Sequence, residues 1–126
     1  QFRSQPQTEK NKEHEMIGYQ ADIISWKKGA LYDEQRRWDF LGTPLCKNPD
    51  YNPKEWNSYI IRCEGPRIRI WLNGAQTLDY IEPFSDCPHP DAQIGKIPLT
   101  GYIALQIHEG KACEAIYKDI EIEKIK

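Results

Sequence analysis

The sequence predicts an all-β domain, most simply an antiparallel β-sandwich. Apolar and polar residues alternate with a period of two in most segments, which is typical of strands with one buried face. Two short turns, Glu64-Gly65-Pro66 and Asn73-Gly74, join such segments directly and predict hairpins. Evidence for helix is confined to 33–41, where acidic residues precede basic ones as in a short helical turn.

The predicted strands can be assigned in chain order. A first short strand covers 1–4, and the alternating segments that follow are 18–24, 59–63, 67–72, 76–80, 101–108 and 115–122. In the first of these, Tyr19 and Ala21 point inward while Gln20 and Asp22 point outward. The same rule directs Ile103, Leu105 and Ile107 inward. The connections 42–55 and 82–98 are long and rich in proline, and long loops are often functional in compact domains.

Length and strand number bear on how complete the sandwich is. The 126 residues are expected to form one domain. The first short strand and six alternating segments are few for two full sheets, only 39% of the residues are hydrophobic, and the first strand begins at Gln1. We therefore expect the chain to supply part of a sandwich, completed by an N-terminal segment or by another chain, because an exposed edge would invite aggregation.

Composition excludes several classes of protein. The 17 Lys and Arg against 19 Asp and Glu give a net charge of −2, which disfavours nucleic acid as the main partner. No apolar run is long enough to span a membrane, and residues 1–10 lack the apolar stretch of a signal peptide. Four Trp, seven Tyr and three Phe argue against a disordered chain.

The four cysteines leave two interpretations open. No CxxC pair is present, so a zinc ribbon is disfavoured. The thiols are either reduced and buried or paired as disulfides in an exported protein. Cys46 and Cys87 both lie in proline-rich loops and are the pair we expect if a disulfide forms, whereas Cys63 lies on a predicted strand and Cys113 just before one.

Alternation also predicts a polar surface suited to sugars. Outward side chains from separate strands are expected to line one hollow, where amides and guanidinium groups can pair with hydroxyls. The candidates for substrate binding are Arg3, Gln20, Arg62, Trp71 and Gln106. The rings of Trp26, Trp38 and Trp71 could stack on a sugar. The alternative is that these are ordinary solvated strand faces.

Asp22 and His108 are the candidates for catalysis. His108 ends a predicted strand, where it could act as base, acid or metal ligand, or could simply bind a loop. The charged run 33–37 either flanks the hollow or pairs with itself. HxH, HExxH and GxSxG motifs and a phosphate-binding glycine loop are all absent, so spacing predicts neither a metal site nor a nucleophile.

Several segments together resemble the 3-keto-disaccharide hydrolase domain family. They are FRS at 2–4, GYQADI at 18–23, GALYDEQRR at 29–37, EWNSYIIRCEG at 55–65, IRIWLNG at 68–74, GYIALQIHEG at 101–110 and YKDIEI at 117–122. The resemblance implies a concanavalin-like jelly roll, of which this chain is the C-terminal two-thirds, since family domains carry further strands before the FR segment. GYQADI with LYDEQRR resembles exported bacterial proteins, which implies a secreted or periplasmic location.

The resemblance also implies an activity, namely cleavage of a 3-keto sugar by base-assisted elimination and hydration. Asp22 or His108 would be the base, and Arg3, Gln20 or Gln106 would hold the oxyanion. A divalent cation could polarise the carbonyl instead. The alternatives are a non-catalytic carbohydrate-binding or protein-interaction module and a structural subunit of a larger assembly.

Overall fold

A computed structural model describes residues 1–9, 12, 14–24, 26–83, 98–108, 110 and 112–125. These residues contain strands and no helix. The strands are β1 (Phe2–Pro6), β2 (Met16–Ile24), β3 (Lys27–Glu34), β4 (Phe40–Leu41), β5 (Tyr59–Glu64), β6 (Arg67–Leu72) and β7 (Ala75–Ile81). The described part of the chain therefore holds no helix that is long and apolar enough to cross a membrane.

The strands form two antiparallel sheets that pack face to face. The first sheet has the order β1-β2-β3-β4, and the second has the order β5-β6-β7. This arrangement confirms the predicted all-β antiparallel sandwich.

The inner faces of the two sheets make the core. Phe2, Tyr19 and Leu31 come from the first sheet and meet Ile68 and Ile70 of the second. Along β6 the alternation is complete, because Ile68, Ile70 and Leu72 are fully buried between more exposed neighbours. Burial of apolar surface at this interface is the main force that holds the sheets together.

The two predicted hairpin turns are confirmed. Gly65 lies in the turn between β5 and β6, and Asn73 and Gly74 connect β6 to β7. Asn73 and Gly74 have φ angles of 48° and 80°, the left-handed conformation that a two-residue hairpin loop requires at both central positions. Asn and Gly are the residues that adopt it most easily, so the sequence encodes this turn locally.

β3 was not predicted, and the reason lies in the charge on its inner face. Gly29, Leu31 and Asp33 point inward and are buried, while Tyr32 and Glu34 point outward. Asp33 is tolerated there because Arg36 Nε donates to Oδ1 at 2.6 Å and Arg37 Nε donates to Oδ2. A charged residue on the core side hides the alternation.

Within the charged run 33–37, Asp33 pairs with Arg36 and Arg37, and Arg37 also pairs with the second sheet. Arg37 Nη1 and Nη2 donate to the two carboxylate oxygens of Glu82 at 2.7 and 2.8 Å, and the hydroxyl of Tyr19 donates to Glu82 as well. In place of the helical turn predicted at 33–41, β3 ends at Glu34, a turn covers 35–37 and β4 follows. The pairing of Asp33, Arg37 and Glu82 is a buried ionic clamp between the sheets.

The strands predicted at 101–108 and 115–122 do not form. Tyr102 makes an isolated bridge with Ser4, and the backbone of Ala104 exchanges hydrogen bonds with Gln1 at 3.0 and 2.7 Å. Ile103, Leu105 and Ile107, predicted to point inward, are more than half exposed. A strand needs a hydrogen-bonding neighbour along its whole length, and alternation alone does not supply one.

The thiols of Cys46, Cys63 and Cys113 are free. Cys87, the predicted partner of Cys46, lies outside the described residues, as does most of the predicted connection 82–98. Cys63 on β5 is half-buried against the core, and this burial raises the pKa of its thiol. A raised pKa keeps the thiol protonated and unreactive.

Candidate functional site

Four side chains share the outer face of the first sheet. Gln20 lies opposite Tyr32 in the β2–β3 register, and Asp22 and Glu34 follow at a spacing of two on their own strands. Residues opposite each other in an antiparallel pair, and residues two apart on one strand, point to the same side of the sheet. We refer to Gln20, Asp22, Tyr32 and Glu34 as the β2–β3 polar face.

Gln20 holds this face together. Its side chain is 5% exposed although it lies on the outer side of the sheet. Its Nε2 donates a hydrogen bond to Oε2 of Glu34 at 3.1 Å. A buried amide bonded across two strands fixes the position of the carboxylate it holds.

Asp22 is half-buried, and its electrostatic surroundings include His108. Burial raises the pKa of the Asp22 carboxyl, whereas a hydrogen bond from the backbone of Ile23 and the charges of His108 and the N-terminal amine oppose the rise. The carboxyl and the imidazole are therefore near enough for their charges to interact. A carboxylate with a raised pKa is a stronger base than one in water.

Glu34 interacts with the same groups. Burial raises the pKa of its carboxyl, the bond from Gln20 lowers it, the charge of Glu15 raises it, and the charge of His108 lowers it. The charge of Asp22 adds a smaller increase. Asp22, Glu34 and His108 thus form one electrostatically coupled group at the β2–β3 polar face.

Two tyrosines sense the charges of these carboxylates, Tyr32 from the β2–β3 polar face and Tyr59 from the core side of β5. The hydroxyl of Tyr59 is buried without a hydrogen-bond partner in the described residues. Its pKa is raised by burial and by the charge of Asp22. The pKa of Tyr32 is also raised, by burial and then by nearby carboxylates, of which Glu34 has the largest effect. Both phenols stay protonated at neutral pH and can donate a hydrogen bond.

Arg3 forms a hydrogen bond from the first sheet to the second. β1 bulges between Phe2 and Gln5, and Arg3 has a φ angle of 49° within the bulge. Its Nη1 donates to the carbonyl oxygen of Gly65 at 2.6 Å, which ties β1 to the turn between β5 and β6. The predicted outward side chain is therefore anchored to the second sheet.

Arg62 and Trp71 lie on the outer face of the second sheet. They alternate with the core residues of β5 and β6, and that sheet's outer face is on the far side of the core from Gln20 and Asp22. Arg62 binds Glu64 at 2.9 Å, and the Trp71 ring lies 5.7 Å from the guanidinium carbon of Arg69. The structure therefore does not bring these two residues to the β2–β3 polar face.

Gln106 and His108 lie on the exposed segment that follows the bridge at Tyr102. The carbonyl oxygen of Gln106 accepts a hydrogen bond from the Tyr117 hydroxyl at 3.1 Å. The carbonyl oxygen of His108 faces Sγ of Cys113 at 3.8 Å. The charge of His108 acts on the carboxyls of the β2–β3 polar face, whereas the Gln106 side chain forms no hydrogen bond with that face among the described residues.

The sequence singled out neither Tyr32 nor Tyr59, and it marked Glu34 only as part of the run 33–37. Glu34 and Tyr32 could have been found by treating 27–34 as a strand, because the spacing of two along GALYDE puts them on the side of Gln20. Tyr59 packs against the core from β5, and the signal there is a phenol on a core face, whose hydroxyl needs a partner.

The chemistry of the donor set decides what the face can bind. Within the described ranges, no three His, Cys, Asp or Glu side chains converge in a way that would hold a metal ion. The face offers two carboxyls, an amide and a phenol, which are partners of sugar hydroxyls, and the imidazole of His108 lies within range of the carboxyl charges. Trp26, 74% exposed next to the start of β3, offers an aromatic surface at the end of the same hairpin.

Comparison with known proteins agrees with a sugar-related site. The sequence model of a family described as a 3-keto-alpha-glucoside-1,2-lyase-like domain matches residues 1–123. No curated protein and no solved structure matches the chain significantly.

Proposed function

The chain belongs to the 3-keto-alpha-glucoside-1,2-lyase-like domain family, and from this premise we propose that it cleaves the glycosidic bond of a 3-keto sugar. Membership gives the chain a saccharide-related role. The finer proposal is that cleavage proceeds by base-assisted elimination followed by hydration, with Asp22 as the base.

The reaction sets clear demands on a site. A carbonyl at C3 acidifies the hydrogen on C2, so a base of moderate strength can remove it. The electrons form an enolate, the bond between C1 and the glycosidic oxygen breaks, and water then adds across the C1–C2 double bond. The site needs a base, hydrogen-bond donors for the enolate oxygen and an acid for the leaving oxygen.

The observation that carries the proposal is that Asp22 lies half-buried on the β2–β3 polar face, within range of the charge of His108. Asp22 is a half-buried carboxylate whose raised pKa strengthens it as a base. His108 is near enough to stabilise negative charge that develops beside Asp22.

We further propose that the protein acts outside the cytoplasm, in a secreted or periplasmic form, on a saccharide. The support is its resemblance to exported bacterial proteins. Arg3, Arg62, Trp71 and Gln106 receive no role in the reaction.

Substitution at the two catalytic candidates tests the activity. We expect Asp22→Asn to lower kcat/KM for a 3-keto-disaccharide by about 100-fold or more, and His108→Ala to lower it by about tenfold or more, as for a general base and its electrostatic partner. The measurement is release of the reducing sugar. The matched control is Asp79→Asn, because Asp79 is paired with Arg67 on the outer face of the second sheet. Unchanged turnover in both Asp22→Asn and His108→Ala would overturn the proposal.

Exposed tryptophans favour a second candidate, a carbohydrate-binding module without catalysis. Trp26, Trp38 and Trp56 are all more than half exposed, and tryptophan rings stack on the C–H faces of sugars. Such a module would be retained on an immobilised 3-keto-disaccharide without releasing product, and Trp26→Ala would abolish the retention. Release of product by the wild-type chain decides against it.

A further inference from the structure

The β2–β3 polar face carries a second carboxyl besides that of Asp22. We propose that Glu34 is the general acid of the reaction, which protonates the glycosidic oxygen as it leaves C1; this inference rests on the proposed function. The sequence marks Glu34 only as part of the charged run 33–37. Elimination also requires a proton donor for the leaving oxygen, and this role differs from those proposed for Asp22 as base and His108 as its electrostatic partner.

Register supplies the geometric argument. Tyr32 is opposite Gln20, so Glu34 and Asp22 lie on the same side of two neighbouring strands, one toward each end of the paired segment. Gln20 lies between them and is almost fully buried. A sugar bound along β2 would thus lie between the two carboxyls, with Asp22 on one side of the glycosidic bond and Glu34 on the other.

Glu34 is held in place without being neutralised. Gln20 Nε2 donates to its Oε2, and no arginine or lysine of the described chain forms an ion pair with it. The neighbouring Asp33 is different, because it is fully buried and bound by Arg36 and Arg37. Glu15 lies before β2 and is not on the β2–β3 polar face. Glu34 is therefore the carboxyl at this end of the face that remains available to a ligand.

The surroundings of Glu34 suit a proton donor. Burial and the charges of Glu15 and Asp22 raise the pKa of its carboxyl, against the opposing effects of Gln20 and His108. The groups that face it thus come from β2, from the segment before β2 and from the segment 101–108. A carboxyl kept protonated to higher pH than usual is what the departing oxygen needs.

The assignment balances the reaction. In the elimination, the Asp22 carboxylate takes the proton from C2, the C1–O bond breaks, and the Glu34 carboxylic acid gives its proton to the leaving oxygen. In the hydration, the Glu34 carboxylate takes a proton from the water whose oxygen bonds to C1. Asp22 then returns its proton to C2, so both carboxyls recover their starting states.

Two substrates with different leaving groups test the role of Glu34. Departure of 4-nitrophenolate needs no acid, whereas departure of a sugar hydroxyl does. We expect Glu34→Gln to lower kcat/KM about 100-fold or more for a 3-keto-disaccharide but less than about tenfold for the 4-nitrophenyl 3-keto-glucoside. The alkaline limb of the disaccharide pH profile should disappear. Asp79→Asn is the control and should stay near wild type on both substrates, because Asp79 is paired with Arg67 on the outer face of the second sheet.

The outcomes separate this inference from the proposed function. If Glu34→Gln loses kcat/KM equally on the two substrates, or loses none on the disaccharide, the role of Glu34 is overturned. The loss of activity in Asp22→Asn tests the base independently of that result. A wild-type chain that cleaves neither substrate overturns the proposed function and this inference with it. If Glu34→Gln fails to fold, Glu34→Asp and Glu34→Ala replace it. Glu34→Asp keeps an acid, so its kcat/KM for the disaccharide should fall less than that of Glu34→Ala. The two variants should have similar kcat/KM for the aryl glycoside.

Discussion

The carboxyls of Asp22 and Glu34 are half-buried, and no arginine of the described chain forms an ion pair with either of them. Asp33, one position before Glu34, shows the usual remedy, since two guanidinium groups neutralise it in the core. An unpaired carboxyl in a partly buried position costs stability, and proteins retain such groups mainly where function needs them. This contrast between neighbouring carboxyls is the residue-scale reason to place chemistry on the outer face.

Removal of the Asp22 charge should stabilise the fold. Its pKa is higher in the folded chain than in the unfolded chain, mainly through burial, so the folded state binds more protons between the two pKa values. The contribution of Asp22 to stability therefore falls as pH rises from about 4 through the raised pKa. We expect the stability of Asp22→Asn relative to wild type to be greater at pH 7 than at pH 3, by less than about 1 kcal/mol because the group is partly solvated.

Urea unfolding of both proteins at the two pH values measures this difference. Asp79→Asn serves as the control with the opposite sign, because the bond from Arg67 lowers the pKa of Asp79. A relative stability of Asp22→Asn that is smaller at pH 7 than at pH 3 would contradict the assignment.

At the residue scale, sequence reasoning reached only part of the site. The period of two along GYQADII correctly predicted that Gln20 and Asp22 point away from the core. It also predicted outward side chains for Arg62 and Trp71, and these do point outward, but from the other sheet. Alternation reports whether a side chain faces the core; it carries no information about which sheet a strand joins.

Sequence reasoning missed the strands β3 and β4, and the ionic clamp explains why β3 was missed and how it is held in the sandwich. Asp33 points into the core from β3, and Arg37 follows in the next turn and reaches Glu82 just after β7. The side chains of Asp33, Arg37 and Glu82 are all nearly inaccessible to water. Such a cluster is predictable only when the partner from the distant strand is known.

Breaking the clamp should destabilise the fold strongly. Arg37→Ala would leave the buried carboxylates of Asp33 and Glu82 without their shared partner, and loss of one member of a buried pair costs about 3–5 kcal/mol. The control is Arg67→Ala, because Arg67 binds Asp79 through two hydrogen bonds at an exposed position. Exposed pairs contribute about 0–1 kcal/mol. Urea unfolding of both variants measures the difference, and similar losses would show that the clamp is not desolvated.

At the scale of the whole molecule, local signals predicted the second sheet better than the first. β5, β6 and β7 are joined by two short turns, so sequence neighbours are also spatial neighbours and each turn carries its own residue signature. The first sheet depends on contacts between distant segments, such as Ser4 with Tyr102 and Arg3 with Gly65. Distant contacts leave no mark on a local pattern, which is why the fold class was predicted and the position of 101–125 was not.

The segment 101–125 provides the last test, because alternation and structure disagree there. Sequence alternation predicts strands at 101–108 and 115–122, whereas in the structure residues 105–108 and 112–125 form no backbone–backbone hydrogen bond among the described residues. Amides without such bonds exchange with solvent rapidly, whereas those in a buried central strand exchange only on unfolding. Hydrogen exchange followed by mass spectrometry should therefore show complete exchange of 112–125 within seconds, while β6 stays protected for orders of magnitude longer. Protection of 112–125 comparable to that of β6 would contradict the structure, and would mean that Ile116, Ile120 and Ile122 are covered in solution as their alternation predicts.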